Sequence, residues 1–327
     1  MIEERFFVTG AMGCLGAWIV RLLAIDGRRV VAFDSSTDDR RIRLVASDID
    51  LSRVTFVVGD ISDRASVTEA VAGHGTTHVI HCAALQLPLV RADPSTGARV
   101  NVVGTVNVFE AAREARDTVR GVAYASSAAV FGSPEFYPGG VVRDDSPPYP
   151  ETNLNGVFKV ANEGTARYYA DELGIGSIGL RPFVVYGPGR DQGLTATPTI
   201  AMGAAAAGHS YRIDYAGPMY YNFVADAAEA FIIAARRTTE AARVFNLPGI
   251  SASTAEIIAI IERFEPSAVG TISSGSEELR TPYLVDTLPV HQALGPLPLT
   301  PLEEGIRQSM AMFRDGLARG TYAVPLA

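Results

Sequence analysis

The glycines near the start of the chain constrain its fold more than any other feature. An apolar segment ends at Thr9, and the apolar, helix-forming residues 17–25 follow shortly after it. Between them lie three glycines at intervals of three residues, Gly10, Gly13 and Gly16. Where a glycine turn joins a strand to a helix N-terminus, backbone N–H groups can approach a pyrophosphate group closely. This context predicts a dinucleotide-binding turn, and the alternative is an ordinary strand–helix turn.

The composition excludes several classes of protein. The 327 residues are 47% hydrophobic with a net charge of -8, which fits one large α/β unit and argues against nucleic acid or anionic membrane as the main partner. No apolar segment is long enough to span a membrane, and the acidic N-terminus does not resemble a signal peptide. Cys14 and Cys82 lack metal-ligand spacing. We therefore expect a cytoplasmic protein without a metal, whose cysteines are reduced; a redox role for them is the less favoured alternative.

Strand-like segments alternate with helical segments in the first half of the chain. The predicted strands after the first cover residues 28–33, 54–58, 77–81, 121–125 and 177–180. This alternation predicts an α/β fold with a parallel, doubly wound sheet of the Rossmann type. The second strand leads into Asp34, where an acidic residue holds a ribose hydroxyl in NAD-binding folds. Its carboxylate would repel a 2′-phosphate, so NAD is favoured, although Arg40 and Arg41 leave NADP open and Asp34 could instead cap a turn.

The second half of the chain has a different character. Residues 133–153 form a long loop rich in proline and glycine, and such loops in compact domains are commonly functional. Helical segments are predicted at residues 201–208, 226–236, 254–263 and 301–313, with a strand-like segment at 220–224. We expect a dinucleotide-binding domain over residues 1–181 and a smaller, mainly substrate-binding lobe over residues 182–327, with a discontinuous boundary between them.

Several segments together resemble the extended short-chain dehydrogenase/reductase family, the NAD-dependent sugar epimerases and dehydratases. The matching segments, in chain order, are Thr9-Gly10-x-x-Gly13-x-x-Gly16, Asp34, Asp60-Ile61, His81-Cys82-Ala83-Ala84, Asn101-x-x-Gly104-Thr105-x-Asn107-Val108, Ser126-Ser127-x-x-Val130-Phe131-Gly132 and Leu180-Arg181-Pro182-x-x-Val185-Tyr186-Gly187-Pro188. The resemblance covers nearly the whole chain. It implies an NAD-binding Rossmann domain and a homodimer formed by the helices that carry Asn101 and Lys159.

The resemblance also implies roles for individual residues. Ser127 occupies the place of the catalytic serine, and Lys159 that of the lysine which holds the nicotinamide ribose. The residues implied in cofactor binding are Gly10, Gly13, Cys14, Leu15, Gly16, Asp34, Asp60, Ile61, Cys82, Ala83, Ala84, Asn101, Lys159, Pro182 and Val185. Mid-helix Asn101 could also simply be solvated or bonded to a neighbouring carbonyl group.

One position departs from the family pattern Tyr-x-x-x-Lys. This chain has Asn155-Gly156-Val157-Phe158-Lys159, so the lysine is present and the tyrosine is replaced by asparagine. A carboxamide can hold a substrate oxygen but has no titratable proton. Losing a general acid–base group typically costs about 10²–10⁴-fold in rate. We expect Ser127 and Asn155 to hold the reacting oxygen, while Lys159, a water relay or Tyr149 from the flexible loop moves the proton.

A second departure concerns the substrate. Nucleotide-sugar epimerases of the family have an arginine where this chain has Met219, two residues before Tyr221. A diphosphate without an arginine clamp is poorly held, so a small sugar-like substrate without a nucleotide is expected. Arg190 is the candidate anion partner, and a solvated loop arginine is an equal alternative.

These observations favour an NAD-dependent oxidoreductase or epimerase that acts on a hydroxyl or carbonyl group of a small polar molecule. Two alternatives remain open. One is a non-redox lyase or isomerase that uses bound NAD. The other is a dinucleotide-sensing pseudoenzyme, which the retention of Ser127 and Lys159 disfavours because a sensor needs neither residue at the reacting carbon.

Overall fold

The computed structural model describes residues 3–150 and 153–325. The strands are β1 (Arg5–Thr9), β2 (Arg29–Asp34), β3 (Val54–Val58), β4 (His78–His81), β5 (Gly121–Ala125), β6 (Val141–Val142), β7 (Ser177–Arg181), β8 (Val184–Tyr186), β9 (Tyr211–Ile213), β10 (Pro218–Phe223), β11 (Ala242–Asn246), β12 (Ile250–Ser253), β13 (Ile272–Ser274) and β14 (Leu284–Val285). The helices are α1 (Cys14–Ile25), α2 (Arg40–Ala46), α3 (Arg64–Gly73), α4 (Leu87–Ala92), α5 (Pro94–Ala98), α6 (Gly104–Glu114), α7 (Leu154–Leu173), α8 (Thr197–Ala206), α9 (Val224–Arg236), α10 (Thr254–Phe264), α11 (Leu288–Leu294) and α12 (Leu302–Arg319).

A seven-stranded parallel sheet forms the centre of the described structure, in the order β11-β7-β5-β4-β1-β2-β3. The strand order reverses between β1 and β4, and open α/β sheets bind ligands in the crevice at such a reversal. The predicted Rossmann-type doubly wound fold is therefore confirmed. A smaller three-stranded sheet of β12, β10 and β8 belongs to the C-terminal region.

Both faces of the inner strands of the central sheet are buried, as expected for a parallel sheet covered by helices, whereas the edge strand β3 exposes Phe56 and Val58. On β1, Phe6 packs in the core that contains Trp18 of α1, whereas the next residue, Phe7, packs in the core that contains Phe109 of α6. Adjacent side chains of a strand point to opposite faces, so these two phenylalanines anchor the two helical layers. Helices α1 and α9 contact one another on one face, and α6 contacts α3 and α7 on the other.

Two of the differences from the sequence-based expectations concern the edge of the main sheet and the segment that carries Asn101. Strand β11 was not predicted, yet it pairs in parallel with β7 at the edge of the main sheet. It lies beyond residue 181, so a division at that residue would separate a strand from its sheet; the two-domain division remains a prediction. Asn101, expected in the middle of a helix, lies instead in a π-helical turn at Arg99–Val103 that separates α5 from α6. Such turns often occur at functional sites.

No helix of the described residues is long and apolar enough to cross a membrane. The C-terminal region contains short strands, the almost fully buried helix α8 and the partly exposed helices α10 and α12. The last of these, α12, extends past the predicted end at Phe313 to Arg319. It stops at Gly320, whose φ of 68° is a left-handed conformation that glycine adopts readily.

A buried ion pair fastens α7 to the central sheet. Arg181, at the end of β7, forms two parallel hydrogen bonds of 2.8 Å with the carboxylate of Glu163 on α7. The same carboxylate accepts a hydrogen bond from the Ser126 hydroxyl group, and Arg181 also donates to the main-chain oxygen of Asp144 at 2.9 Å. One guanidinium group therefore holds a helix, a strand and the proline-rich loop in a fixed arrangement.

We expect Glu163→Gln to destabilise the protein by about 3–5 kcal/mol, because it leaves the buried Arg181 charge uncompensated. Urea unfolding followed by circular dichroism would measure the change. The control is Glu304→Gln, which breaks a similarly bidentate pair with Arg307 on the exposed face of α12. That exposed pair should contribute less than about 1 kcal/mol. Equal losses in the two variants would contradict the role given to the buried pair.

Candidate functional site

The glycine turn lies against the loop that follows β4. Gly10 has a φ of 68°, and a Cβ atom there would lie 2.7 Å from the main-chain nitrogen of Ala83. A Cβ atom on Gly16 would lie 2.1 Å from the oxygen of Gly10. No larger residue fits either place without moving the backbone. The first turn of α1 contains no acidic residue and has no side-chain cap, so its N–H groups remain available to an anion.

A cavity of about 240 Å³ opens at the reversal of strand order. It contains most of the residues predicted to bind the cofactor, namely Gly10, Gly13, Cys14, Asp34, Asp60, Ile61, Cys82, Ala83 and Ala84. Leu15 and Gly16 lie beneath it in the first turn of α1. The tight glycine backbone and the free helix N-terminus fit a bound dinucleotide.

Asp34 is held at the end of β2 by backbone N–H groups. Its Oδ2 accepts a hydrogen bond of 2.9 Å from Met12 in the glycine turn, and its Oδ1 accepts one of 2.9 Å from Ser36. Each carboxylate oxygen has a further lone pair. The geometry therefore suits a carboxylate that accepts two ribose hydroxyl groups.

In the sequence, Arg41 was a candidate for binding the 2′-phosphate of NADP. In the structure, its guanidinium group is already bonded to other groups of the protein. Its side chain forms an ion pair of 2.6 Å with Asp191. It also donates to the main-chain oxygens of Met12 at 3.0 Å and Gly189 at 3.1 Å. Arg40 pairs with Asp38 and with the other oxygen of Asp191. These contacts argue against a role for either arginine in holding a ribose phosphate.

Arg190 lines the same cavity and is not a solvated loop residue. Its Nη2 donates to Thr195 at 3.1 Å, whereas its Nε is buried and has no partner among the described residues. Burial lowers the pKa of this guanidinium group. A buried cation without a directly bonded carboxylate favours a nearby anion.

Both cysteines border the cavity as free thiols. Burial raises the pKa of Cys14 to about 11 and that of Cys82 to about 12. Because thiolates are the reactive form, these two side chains are poor nucleophiles at neutral pH. They serve as small residues that allow close approach of the backbone.

Ser127, Asn155 and Lys159 converge beside the end of β5. Lys159 is 6% exposed, and its Nζ donates to the main-chain oxygen of Ala125 at 2.5 Å. Ser127 accepts a hydrogen bond of 3.1 Å from Ala129 through its Oγ. A Cβ atom on Gly156 would lie 2.0 Å from the oxygen of Ala129, so only glycine lets the start of α7 pack this closely on the Ser127 turn.

Lys159 has an unusual environment for a basic residue. Burial lowers the pKa of its ammonium group to about 8, although nearby Cys82 and Glu163 act in the opposite direction. Lys159 is also the only lysine in the sequence, where every other basic side chain of this length is arginine. That composition is a signal for a special role that the motif alone did not reveal, because arginine remains protonated at any physiological pH.

A contact between two asparagines was missed in the sequence. Asn101 Nδ2 donates to Asn155 Oδ1 at 3.0 Å, and Asn101 also bonds both main-chain groups of Leu85 in the loop after β4. The two asparagines are 54 residues apart, and no local pattern relates them. Asn101 is thus neither solvated nor a direct lining residue of the cavity.

The other proposed positions lie outside the cavity. The main-chain oxygen of Pro182 accepts from Ala128 at 2.9 Å, and Val185 pairs with Asn222 between β8 and β10. The ring of Tyr149 packs on Phe136 with centroids 5.4 Å apart, and the described residues show no hydrogen bond between Tyr149 and Asn155.

Met219 is 1% exposed, and its sulfur accepts a hydrogen bond of 3.2 Å from the Thr281 hydroxyl group. The position that holds an arginine in nucleotide-sugar epimerases is therefore an apolar, filled site in this chain.

Two proteins named for their enzymatic activities are similar to this chain in sequence. The chain is 32% identical over 326 residues to the UDP-glucose 4-epimerase of Mycolicibacterium smegmatis. The alignment covers 95% of this chain and 99% of that protein. The chain is 28% identical over 307 residues to the D-erythronate dehydrogenase of Cupriavidus necator, covering 86% and 88% of the two chains.

Among solved structures, the UDP-glucose 4-epimerase of Thermotoga maritima with UDP-glucose superposes with a TM-score of 0.80 at 20% identity, covering 96% of this chain and 100% of that one. The model of the NAD dependent epimerase/dehydratase family matches residues 6–247, from β1 through β11. With the glycine turn, the Asp34 carboxylate and the matched lysine in place, this chain belongs to the NAD dependent epimerase/dehydratase family.

Proposed function

We propose that this protein is an NAD-dependent oxidoreductase or epimerase that acts on a hydroxyl or carbonyl group of a sugar-like molecule. The observation that carries the proposal is the position of Ser127, Asn155 and Lys159. Lys159 bonds the end of β5, and the start of α7 packs on the turn after Ser127. Asn155 is joined through Asn101 to Leu85, which lines the cleft. A substrate oxygen placed there would meet two hydrogen-bonding side chains and one amine of lowered pKa.

NAD, when bound, accepts or returns a hydride at the reacting carbon. In this proposal the glycine turn and the N-terminus of α1 hold its pyrophosphate, and Asp34 holds a ribose. Asp60 and Ile61, which line the same cavity, would border the adenine. The Nε of Arg190 is buried and has no partner among the residues that the structure describes, and this supports a second pyrophosphate contact, because an anion there would neutralise the charge of Arg190.

The remaining chemistry is the movement of one proton, which a carboxamide cannot carry. Lys159 suits this role because its amine is partly neutral near pH 8. Ser127 and Asn155 then hold the substrate oxygen while Lys159 takes or returns the proton. Tyr149 is less favoured, since its ring is packed against Phe136.

The substrate proposal remains a small, polar, sugar-like molecule without a nucleotide. The buried Met219 supports it, because a thioether cannot pair with a diphosphate. The similarity to D-erythronate dehydrogenase, whose name denotes a non-nucleotide sugar acid, points the same way. The 32% identity to a UDP-glucose 4-epimerase favours a second candidate, a nucleotide sugar.

A non-redox lyase or isomerase and a dinucleotide sensor both remain alternatives to the oxidoreductase.

The homodimer also remains a proposal. Its formation by α6 and α7 is compatible with the exposed side chains of Val103, just before α6, and Val157, on α7, which are 44% and 47% accessible.

A substrate panel separates these candidates. The protein, saturated with NAD⁺, would be mixed with sugars, polyols, aldonic acids including D-erythronate, and UDP-hexoses, while absorbance at 340 nm and chromatography of the products are recorded. We expect turnover of a non-nucleotide compound and no detectable binding of UDP-sugars by calorimetry. Interconversion of UDP-hexoses would establish the second candidate. Tight NAD binding without any turnover would establish the sensor.

Asp34 should set the cofactor preference. We expect the unmodified protein to bind NADH more tightly than NADPH, and Asp34→Ala to reduce or erase the difference, because the variant lacks both the ribose acceptor and the repulsion of a phosphate. Fluorescence titration with NADH and with NADPH measures the two dissociation constants in each protein. The control Asp39→Ala removes an exposed carboxylate that pairs with Arg43, and it should leave the preference unchanged. Tighter binding of NADPH to the unmodified protein would contradict the assignment.

Lys159 should determine the pH dependence of the reaction. A base must be neutral to accept a proton, so oxidation of an alcohol should increase as the pH rises through about 8 and level off above it. Lys159→Arg keeps a positive charge that stays protonated, and it should lose this inflection together with about 10²–10⁴-fold of the rate. An unchanged inflection in the arginine variant would contradict the role of Lys159.

The ionisation of Lys159 can also be measured directly. Selective isotope labelling of lysine gives one side-chain signal, because the sequence contains a single lysine. Titration of that signal by NMR should give an apparent pKa near 8, as the burial of the amine requires. A value near that of free lysine would show that a different group carries the proton.

A further inference from the structure

We propose that Asn101 holds the carboxamide of Asn155 in a single orientation, so that Asn155 acts on the substrate only as a hydrogen-bond donor. The site would then favour an acceptor oxygen, such as a carbonyl or an alkoxide, over a hydroxyl group that needs an acceptor for its proton. This inference rests on the proposed function, because it describes the substrate oxygen of that same site.

The orientation of Asn101 follows from its two bonds to the backbone of Leu85. The Leu85 N–H group donates to Asn101 Oδ1 at 2.7 Å, and Asn101 Nδ2 donates to the Leu85 oxygen at 3.0 Å. A backbone N–H group can only donate and a carbonyl oxygen can only accept. If the Asn101 amide were turned over, its NH₂ group would face the Leu85 N–H group and its oxygen would face the Leu85 oxygen, so neither hydrogen bond could form. Asn101 is 1% exposed, so water does not compensate for such a mismatch.

The orientation of Asn155 follows from that of Asn101. The second N–H of Asn101 Nδ2 points to Asn155 and donates to its Oδ1 at 3.0 Å. If the Asn155 amide were turned over, two NH₂ groups would face each other. Asn155 therefore directs its Nδ2 away from Asn101, and no described residue accepts a hydrogen bond from that nitrogen.

The backbone at this point is also fixed. The Asn153 side chain caps α7 by accepting hydrogen bonds from the main-chain nitrogens of Asn155 and Gly156. The freedom left to Asn155 is thus the rotation of its carboxamide, and Asn101 determines that rotation. Asn101 is a positioning residue in this arrangement.

Ser127 has a related bias. Its Oγ already accepts a hydrogen bond from the main-chain nitrogen of Ala129, so its own O–H group remains available to donate. Ser127 and Asn155 together can offer two donors to one substrate oxygen. Donors placed where negative charge develops stabilise a carbonyl or alkoxide oxygen more than an alcohol. The proton of an alcohol must therefore leave through a different group.

The sharpest variant is Asn155→Asp, which has nearly the same shape. An aspartate at this position still accepts from Asn101, but at neutral pH it offers the substrate a second acceptor instead of a donor. When protonated, the carboxylic acid donates again. With NAD⁺ and D-erythronate as the probe, we expect the variant to lose at least about 100-fold in kcat at pH 8. The ratio of variant to wild-type kcat should recover as the pH falls towards 5.

The matched control is Asn153→Asp. It adds the same charge two residues earlier, and an aspartate caps a helix as well as an asparagine does. We expect it to retain wild-type kcat within about threefold and to show no recovery at low pH, since a good cap is preserved. A similar pH response in both variants would mean that charge near α7, and not the donor at position 155, is responsible, which would overturn the proposal.

A double-mutant cycle tests the role of Asn101. Asn101→Ala should lower kcat in the wild-type protein and have little further effect when residue 155 is already alanine, because Asn101 acts through Asn155. Independent, multiplying losses in the two backgrounds would assign Asn101 a merely structural role and contradict the proposal.

A measurement without any substrate separates this inference from the proposed function. In NAD-saturated protein labelled with ¹⁵N-asparagine, both side-chain protons of Asn101 should exchange slowly with solvent, and those of Asn155 at least about tenfold faster, because only the former are bonded within the protein. Assignment uses the two alanine variants. A protected Asn155 NH₂ group with an unprotected Asn101 proton would reverse the orientation and overturn the inference. Failure of every probe compound to react would instead count against the proposed function.

Discussion

The contact between the glycine turn and the loop after β4 determines where everything else in the site can lie. Gly10 approaches the backbone of Ala83 so closely that any side chain would collide with it. This approach brings the N-terminus of α1 and the end of β4 together at the reversal of strand order. The cleft lies where the backbone of the glycine turn contacts the backbone of the loop after β4, and both segments contribute lining residues.

Much of this arrangement could be predicted from the sequence, for identifiable reasons. The glycine turn, the parallel strands and the position of Asp34 follow from local patterns that have few structural solutions. Strand β11 was missed because it joins the sheet only through its tertiary neighbour β7. Likewise, the bond between Asn101 and Asn155 depends on two helices meeting in space, and no periodicity records such a meeting.

The replacement of tyrosine by asparagine removes an acid–base group from the family motif. Under the proposed function, two different residues take over the two tasks of that tyrosine. Tyrosine both bonds a substrate oxygen and carries its proton. In the proposed mechanism the first task belongs to Asn155, whose amide accepts a hydrogen bond from Asn101. The second task belongs there to Lys159, whose ammonium group is buried and which is the single lysine of the sequence. Burial lowers the pKa of an amine without any neighbouring phenol, so the second task can move four residues along the helix.

The bonds of Arg41 have a consequence for how long a cofactor stays. Arg41 joins the glycine turn, through the oxygen of Met12, to the loop that carries Gly189 and Asp191, and both segments form walls of the same cleft. If the proposed dinucleotide lies between those walls, the bridge restrains its release while it stays closed. An epimerase regenerates its cofactor within each catalytic cycle and gains from a bridge that stays closed, whereas a dehydrogenase must exchange its cofactor after every turnover. The lifetime of one surface-proximal ion pair thus bears on whether NAD behaves as a permanent part of the protein or as a second substrate.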